Sequence, residues 1–297
     1  MKIKIYILHV LILVILMPGY SQATYSGRGR PDQLMLHTTP SISLLDYKSV
    51  DSKSAISGNI GIGTEYGHFF NQYWGLTVGA EITSFSTFYT FKGRKDSLEM
   101  FDDWSLRYYK LRQNLTTMEY QSVTYFSFPM KLNFRHRLTN SLNFNISAGA
   151  AYTLYLTENK SIISGTIDRQ AFFGDIYVNI DEFYPLMFGK FPDYINPSSE
   201  KQFKNTLLAV AQMGISFNLA DNWNMHAELN LQYGYKNIKL RAINILVPDE
   251  YSGITATNYI GEIKPVSLGL RIGIAYNFDI FGIDQCNCHS KWNKKEF

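Results

Sequence analysis

The residues of this chain that could do chemistry are few and scattered. Six histidines stand at positions 9, 37, 68, 136, 226 and 289. A hydrolase needs a base within hydrogen-bond reach of a nucleophile. Only His226 has a polar neighbour at a telling spacing: Glu228 is two residues on, so both point to one face of a strand. A serine or threonine on an adjacent strand would complete a dyad; a histidine packed in a polar interior is the plainer expectation. His68 and His136 have no partner visible in the sequence. Asp102-Asp103 and Asp181-Glu182 are acids expected to be solvated. The sequence has no glycine-rich loop ending in Lys-Ser/Thr, no His-Glu-x-x-His and no Gly-x-Ser-x-Gly. Cys286-x-Cys288-His289 offers too few ligands for a metal centre, and two cysteines make no disulfide framework. The expectation is no enzyme, no catalytic residue, no metal and no cofactor. Six other charges carry more information: Glu65, Glu81, Lys131, Arg135, Glu228 and Arg271.

Each of those six sits on the polar face of a segment with period two. Leu142, Phe144, Ile146, Ala148, Ala150, Tyr152, Leu154 and Leu156 alternate with Asn143, Asn145, Ser147, Gly149, Ala151, Thr153, Tyr155 and Thr157. Such alternation, held far beyond the usual ~5–6 residue strand, marks a long strand with two different faces. Val266 to Phe278 repeats the pattern with Arg271 on the polar side, and Met225 to Tyr235 does so with Glu228. Phe126 to Arg135 carries Lys131 and Arg135, with Pro129 costing one ladder bond. Leu76 to Thr83 carries Glu81, and its phase is expected to slip near Phe85 at a bulge. Ile56–Phe70 and Leu207–Leu219 also alternate, and a first strand over Leu34–Leu45, despite Pro40, makes the number even.

The start of the chain reads as an export signal. Lys2 and Lys4 precede an apolar run from Ile5 to Met17, then Pro18-Gly19, then Ser21-Gln22-Ala23 with small residues where a signal peptidase cuts. That run falls short of the roughly 18 residues a membrane helix needs, and no later segment reaches that length. A mature chain entering a membrane must therefore do so as a closed barrel, because lipid cannot satisfy open backbone groups. Composition fits: 21 Tyr and 20 Phe, with charged residues at 18%, below the roughly 25% of soluble domains. With 28 Lys+Arg against 25 Asp+Glu and no long basic run, nothing points to nucleic acid.

Connections separate a barrel from a sandwich. Asn71-Gln72-Tyr73-Trp74, Leu138-Thr139-Asn140-Ser141 and Ala220-Asp221-Asn222-Trp223 are tight turns, whereas 94–119, 161–204 and 239–263 read as long loops. Short and long alternate, as periplasmic turns and external loops do in membrane barrels. In these turns, and in the amphipathic last strand Leu268–Phe278, the chain resembles the small outer-membrane β-barrel proteins of Gram-negative bacteria, of OmpA/OmpX-like architecture. The resemblance implies an all-β, antiparallel up-and-down transmembrane barrel of eight strands, with ten as the alternative if Phe172–Ile180 adds to the wall. It also implies recognition by the barrel-assembly machinery through a terminal signal at Tyr276 and Phe278. Residues 279–297 follow that signal, where the family's chains usually stop.

The expected organisation is a signal peptide over 1–23, a barrel over 24–278 in the outer membrane, and a periplasmic tail over 279–297. Lipid-facing aromatics should form two belts: Phe70, Trp74, Phe134, Phe144, Phe217, Trp223 and Phe278 near the tight turns, and Phe88, Tyr89, Phe91, Tyr120, Tyr152, Tyr233 and Tyr235 near the long loops. The six inward charges should pair inside the lumen, since an unpaired buried charge is costly. A narrow ion pathway is the alternative. The long loops are the better functional surface, with Trp104, Tyr108, Tyr109, Phe183, Tyr184 and Tyr194 as candidates for a protein or glycan partner. A narrow channel and a lipid-modifying enzyme remain the other functional readings.

Overall fold

A computed structural model describes residues 32–47, 52–139, 141–183, 188–192, 203–220, 222–240 and 260–278, with the backbone alone at 52, 92–96, 115, 162, 167 and 191–192. The expected signal peptide, the tail with Cys286 and Cys288, and the candidates Tyr184 and Tyr194 lie outside the described residues.

Eight strands close into one antiparallel ring. They are β1 (Asp32–Tyr47), β2 (Ser52–Phe69), β3 (Trp74–Asp102), β4 (Arg107–Arg137), β5 (Leu142–Phe173), β8 (Thr206–Ala220), β9 (Trp223–Gly234) and β10 (Ile263–Phe278). Each pairs with its neighbour in sequence around the wall; β5 pairs with β8, and β10 with β1 closes the ring. Two short strands, β6 (Val178–Ile180) and β7 (Gly189–Pro192), pair back onto the far end of β5. The segment Phe172–Ile180 thus ends β5 and forms the short β6 rather than adding a wall strand, and the ring has eight strands rather than ten.

Side-chain chemistry explains the closure of two of the turns. The Asn71 side-chain oxygen accepts the N–H groups of Tyr73 and Trp74, both at 2.8 Å. Thr139 Oγ1 does the same for Leu142 at 3.1 Å. Pro40 and Pro129, two of the wall's prolines, sit where it can spare a donor. Pro40 pairs with Ile60 of β2 but falls in a gap of the β1–β10 register, and Pro129 pairs with Ala151 of β5 in a gap of the β3–β4 register. Between Ile56 and Ile62, β2 leaves the β3 ladder. The Ser43 hydroxyl fills that breach, accepting from Ser86 N–H at 2.7 Å and donating to Ser86 C=O at 3.0 Å. Asn59 links the same two serines, hydrogen-bonding Ser43 and accepting from Ser86 Oγ at 2.7 Å. In lipid those backbone groups would otherwise go unsatisfied.

Three expectations need correction. The stretches 94–119 and 161–173 are strand, not loop: β3 and β4 pair continuously from Arg94↔Leu115 to Asp102↔Arg107, and β4 pairs with β5 to Lys110↔Phe172. A register shift does fall opposite Phe85, between Ile62↔Ile82 and Ile56↔Thr87 of the β2–β3 pairing, but the inward–outward phase of β3 itself does not slip. Its pairing with β4 runs unbroken from Glu81 to Phe91, so Phe85 continues the inward face of Glu81 and Thr83. By the same parity Tyr89 and Phe91 point inward and are buried, and do not belong to the outer aromatic belt. The cause is a second storey of the interior that is apolar. Leu45, Tyr47, Phe85, Tyr89, Phe91, Val123, Tyr125, Phe203, Leu208 and Ile263 pack there above the charges.

Candidate functional site

Glu65 on β2 is the hub of the lower storey. Lys131 on β4 donates to its two oxygens at 2.8 and 2.9 Å, and the Arg271 guanidinium of β10 lies 2.5 Å away. Gln212 Oε1 accepts from Lys131 at 2.6 Å, from Arg271 at 2.7 Å and from Ser147 at 3.0 Å. Arg271 also reaches Glu228 at 3.8 Å. From there the chain of contacts descends: Glu228 to His226 Nδ1 at 3.4 Å, His226 Nε2 to the Gln33 amide at 2.6 Å, and Arg135 donating to Gln33 Oε1 at 2.7 Å. Arg135 itself lies over the Phe69 ring, 3.8 Å from its centroid. Glu81 stands apart, making no ion pair among the described residues and accepting a hydrogen bond from Gln232. Glycine makes the crowding possible, because a Cβ on Gly79 would lie 2.5 Å from Glu65 Cγ.

An eight-strand ring is just wide enough for side chains to fill it. Lys131 and Arg271 are almost fully buried, and the apolar storey closes the lumen above them. His226 is occupied at both ring nitrogens, so neither is left for a nucleophile. At the short-turn rim, Asp32 accepts hydrogen bonds from His68 Nδ1 at 2.9 Å and Tyr66 Oη at 2.5 Å, tying β1 to β2 beside the β10 terminus.

The outer surface is the reverse of the lumen. Leu34, Leu36, Ile42, Ile60, Ile62, Val78, Met130, Met213, Leu229, Leu268 and Ile274 are all exposed around the ring. Soluble proteins rarely expose an apolar patch beyond a few hundred Å². Near the tight turns Tyr73 stacks on Phe134 and His136, and Trp223 lies 5.0 Å from Tyr276, which stacks on Phe278. At the other edge Phe88 meets Tyr120 at 5.2 Å, with Tyr152, Tyr233 and Tyr235 exposed. A closed ring, apolar outside and charged in the lower storey of its interior, with short turns at one end, is the outer-membrane type of spanning structure. This is the architecture of an outer-membrane β-barrel. No family model matches the chain, and no curated protein does. Solved structures with a similar course include the N-terminal β-barrel domain of Pseudomonas aeruginosa OprF (11% identity, 84% of this chain and 99% of that chain, TM-score 0.34). Neisserial surface protein A matches at 9% identity over 84% of this chain and 97% of its own, with a TM-score of 0.36. The outer membrane protein OprG from Pseudomonas aeruginosa matches at 14% over 85% and 98%, with a TM-score of 0.41.

Beyond the barrel, β3, β4 and β5 continue as a sheet. Pairing of β2 with β3 ends at Ser52↔Phe91, whereas β3 runs on to Asp102. At about 2.3 Å of axial rise per residue for a strand tilted near 45°, the tip stands roughly 25 Å above that point. Two turns meet there, joined by Arg107 to Asp175 at 2.8 Å. Leu106 and Tyr177 hold these turns in the left-handed region, with φ of 54° and 53°, a conformation that side chains other than Gly, Asn and Asp seldom adopt. Asp102 shapes the first turn, accepting from Trp104 N–H at 3.2 Å and from the Ser105 hydroxyl at 2.5 Å. The Ser105 hydrogen bond holds the Asp102 carboxyl below its ordinary range. Trp104 is 99% exposed, Tyr177 86%, Leu106 73% and Tyr108 72%.

Of the tip candidates, Trp104 and Tyr108 are free to contact a partner, with Tyr108 5.0 Å from Phe101. Tyr109 is instead internal packing, 5.2 Å from Phe173 and 5.9 Å from Phe188, and burial pushes its phenol pKa up. Phe183 is half exposed and bridges Phe188 through backbone hydrogen bonds of 3.1 and 3.2 Å. Sequence reading counted Tyr177 only among the aromatics of 161–204, and missed Leu106 and Ile176. Their signal was the pair of turns opposite one another across β4 and β5, which emerges only once those strands are paired.

Proposed function

We propose that this barrel is a non-enzymatic, non-conducting anchor that holds an aromatic-tipped sheet at the cell surface for contact with a protein partner. The observation that carries this is the tip itself. Trp104, Leu106, Tyr108 and Tyr177 are exposed at the end of strands that extend past the membrane wall. An exposed cluster of large rings gains little in water and much on docking, where Trp and Tyr dominate binding energy. The stem behind it is ordered by Tyr109, Phe173 and Phe188, so little entropy is lost when a partner orders the surface. Two storeys of packed lumen speak against a channel, and the doubly bonded His226 speaks against hydrolysis. Insertion into the outer membrane would use the barrel-assembly machinery, with Tyr276 and Phe278 ending the last strand.

The test is adhesion by cells displaying the barrel to surfaces coated with single matrix or serum proteins. Wild-type cells should bind at least one of them. The Trp104→Ala/Tyr108→Ala/Tyr177→Ala variant should lose that binding while folding normally. Equal binding by the triple variant, or binding only to glycan-coated surfaces, would overturn the protein-docking reading.

A further inference from the structure

Charge in the central layer of the lumen does not balance by contact. Three carboxylates lie there, Glu65, Glu81 and Glu228, but Lys131 and Arg271 are both committed to Glu65, with Arg271 also reaching Glu228. All three Lys131 donors are spent on Glu65 and Gln212. Glu81 is left buried, with one hydrogen bond from Gln232 and its Oε1 without a partner.

The surroundings of that oxygen are unusual. Thr39 Oγ1, Ser127 Oγ and Gln232 Oε1 are likewise buried without hydrogen-bond partners, on residues each more than nine-tenths buried. Register makes Ser127 and Thr39 neighbours of Glu81, and Gln232 is hydrogen-bonded to it. Ser127 is directly opposite Glu81, and Thr39 is directly opposite Gly61, whose Cβ position would be 3.0 Å from Glu81 Oε1 and 3.5 Å from Thr83 Oγ1. A buried polar atom without a partner costs about 1–3 kcal/mol, so several on one side of a lumen require an explanation. Carboxylate, amide carbonyl and hydroxyl oxygens share one affinity: hard cations. One carboxylate among neutral oxygens supplies the charge for a monovalent ion. Among the described residues no group of three or more His, Cys, Asp or Glu could hold a metal ion, so a cation here would rest on one carboxylate and neutral oxygens.

We propose that the lumen binds one monovalent cation of sodium size, held by Glu81 Oε1 with Gln232, Thr39 and Ser127 as neutral oxygen ligands. The ion completes the charge balance of the layer and satisfies the acceptors that the protein leaves open. This proposal does not depend on what the tip binds.

The test uses the full barrel folded in phospholipid vesicles at pH 8, with its thermal midpoint read by mobility on unboiled gels. Sodium, potassium, calcium and choline chlorides are compared at equal ionic strength. Sodium or potassium should raise the midpoint over choline in a saturable way, by about 5 °C at a hundredfold excess over Kd. Glu81→Gln should abolish the response. Should that variant fail to fold, Thr39→Val, which keeps shape and removes one ligand, should move half-saturation to about tenfold higher sodium. Equal midpoints in sodium, potassium and choline would overturn the proposal, leaving Glu81 as a neutral acid. A calcium response exceeding sodium's, or a sodium response that survives Glu81→Gln, would overturn it too.

Discussion

Replacing Glu65 by glutamine keeps the shape of the hub and removes its charge. Two buried cations then lose their common partner. Lys131 keeps only neutral acceptors, Gln212 and the new amide oxygen, and Arg271 keeps Gln212 and a carboxylate 3.8 Å away. Breaking one buried pair costs about 3–5 kcal/mol, because the partner's charge is left uncompensated. Here one carboxylate serves two cations, so Glu65→Gln should fall at the upper end, about 4–5 kcal/mol. Removing a cation as well should relieve much of that. The double variant Glu65→Gln/Lys131→Gln should be more stable than the sum of the single effects by about 2 kcal/mol. Urea unfolding of the vesicle-inserted barrel, followed by tryptophan emission and by gel mobility, measures all four corners of the cycle. A single variant within about 0.5 kcal/mol of wild type, or strict additivity in the double, would refute the hub.

Three further outcomes are expected. Phe85→Ala opens a hole in the apolar storey and should cost about 3–5 kcal/mol in the same unfolding assay, whereas a lipid-facing phenylalanine would cost far less. In planar bilayers the wild-type barrel should show no unitary conductance at neutral pH; steady openings would contradict a lumen closed in two storeys. At the tip, the depressed Asp102 carboxyl stabilises the turn fully above the ordinary carboxylate value near ~4 and ceases to do so as pH falls through its lower folded value. The anisotropy of Trp104, in a variant whose other tryptophans are phenylalanine, should therefore hold at neutral pH and drop in acid. With Asp102→Asn it should lose that acid transition.

Much of the wall was legible because membrane strands must alternate. Leu142–Thr157 and Val266–Phe278 declare both faces, and parity alone assigns Glu65, Lys131, Glu228 and Arg271 to the lumen. Parity also held the information on Phe85, Tyr89 and Phe91. It was overruled by the assumption that every lumen residue is polar, an assumption that fails where the outer half of the barrel packs an apolar core. The stretches 94–119 and 161–173 looked like loops because a sheet outside the membrane has no lipid face to keep apolar, so Ser97–Asp102 and Arg107–Asn114 carry charges on both faces. Pairings such as His226 with Gln33, far apart in sequence, could not be read at all, because they depend on strand stagger around the ring.

The most direct test of the account is topology in living cells. Trp104→Cys at the tip and Gln72→Cys at a short turn, each in a background with Cys286 and Cys288 changed to serine, are exposed on whole cells to a maleimide that does not cross membranes. The membrane fraction is then run with and without boiling. Labelling at position 104 alone, on a band whose mobility shifts on boiling, is the predicted result. Labelling at position 72 from outside, or a soluble band with no shift, would contradict a barrel that spans the outer membrane with its aromatic tip at the surface.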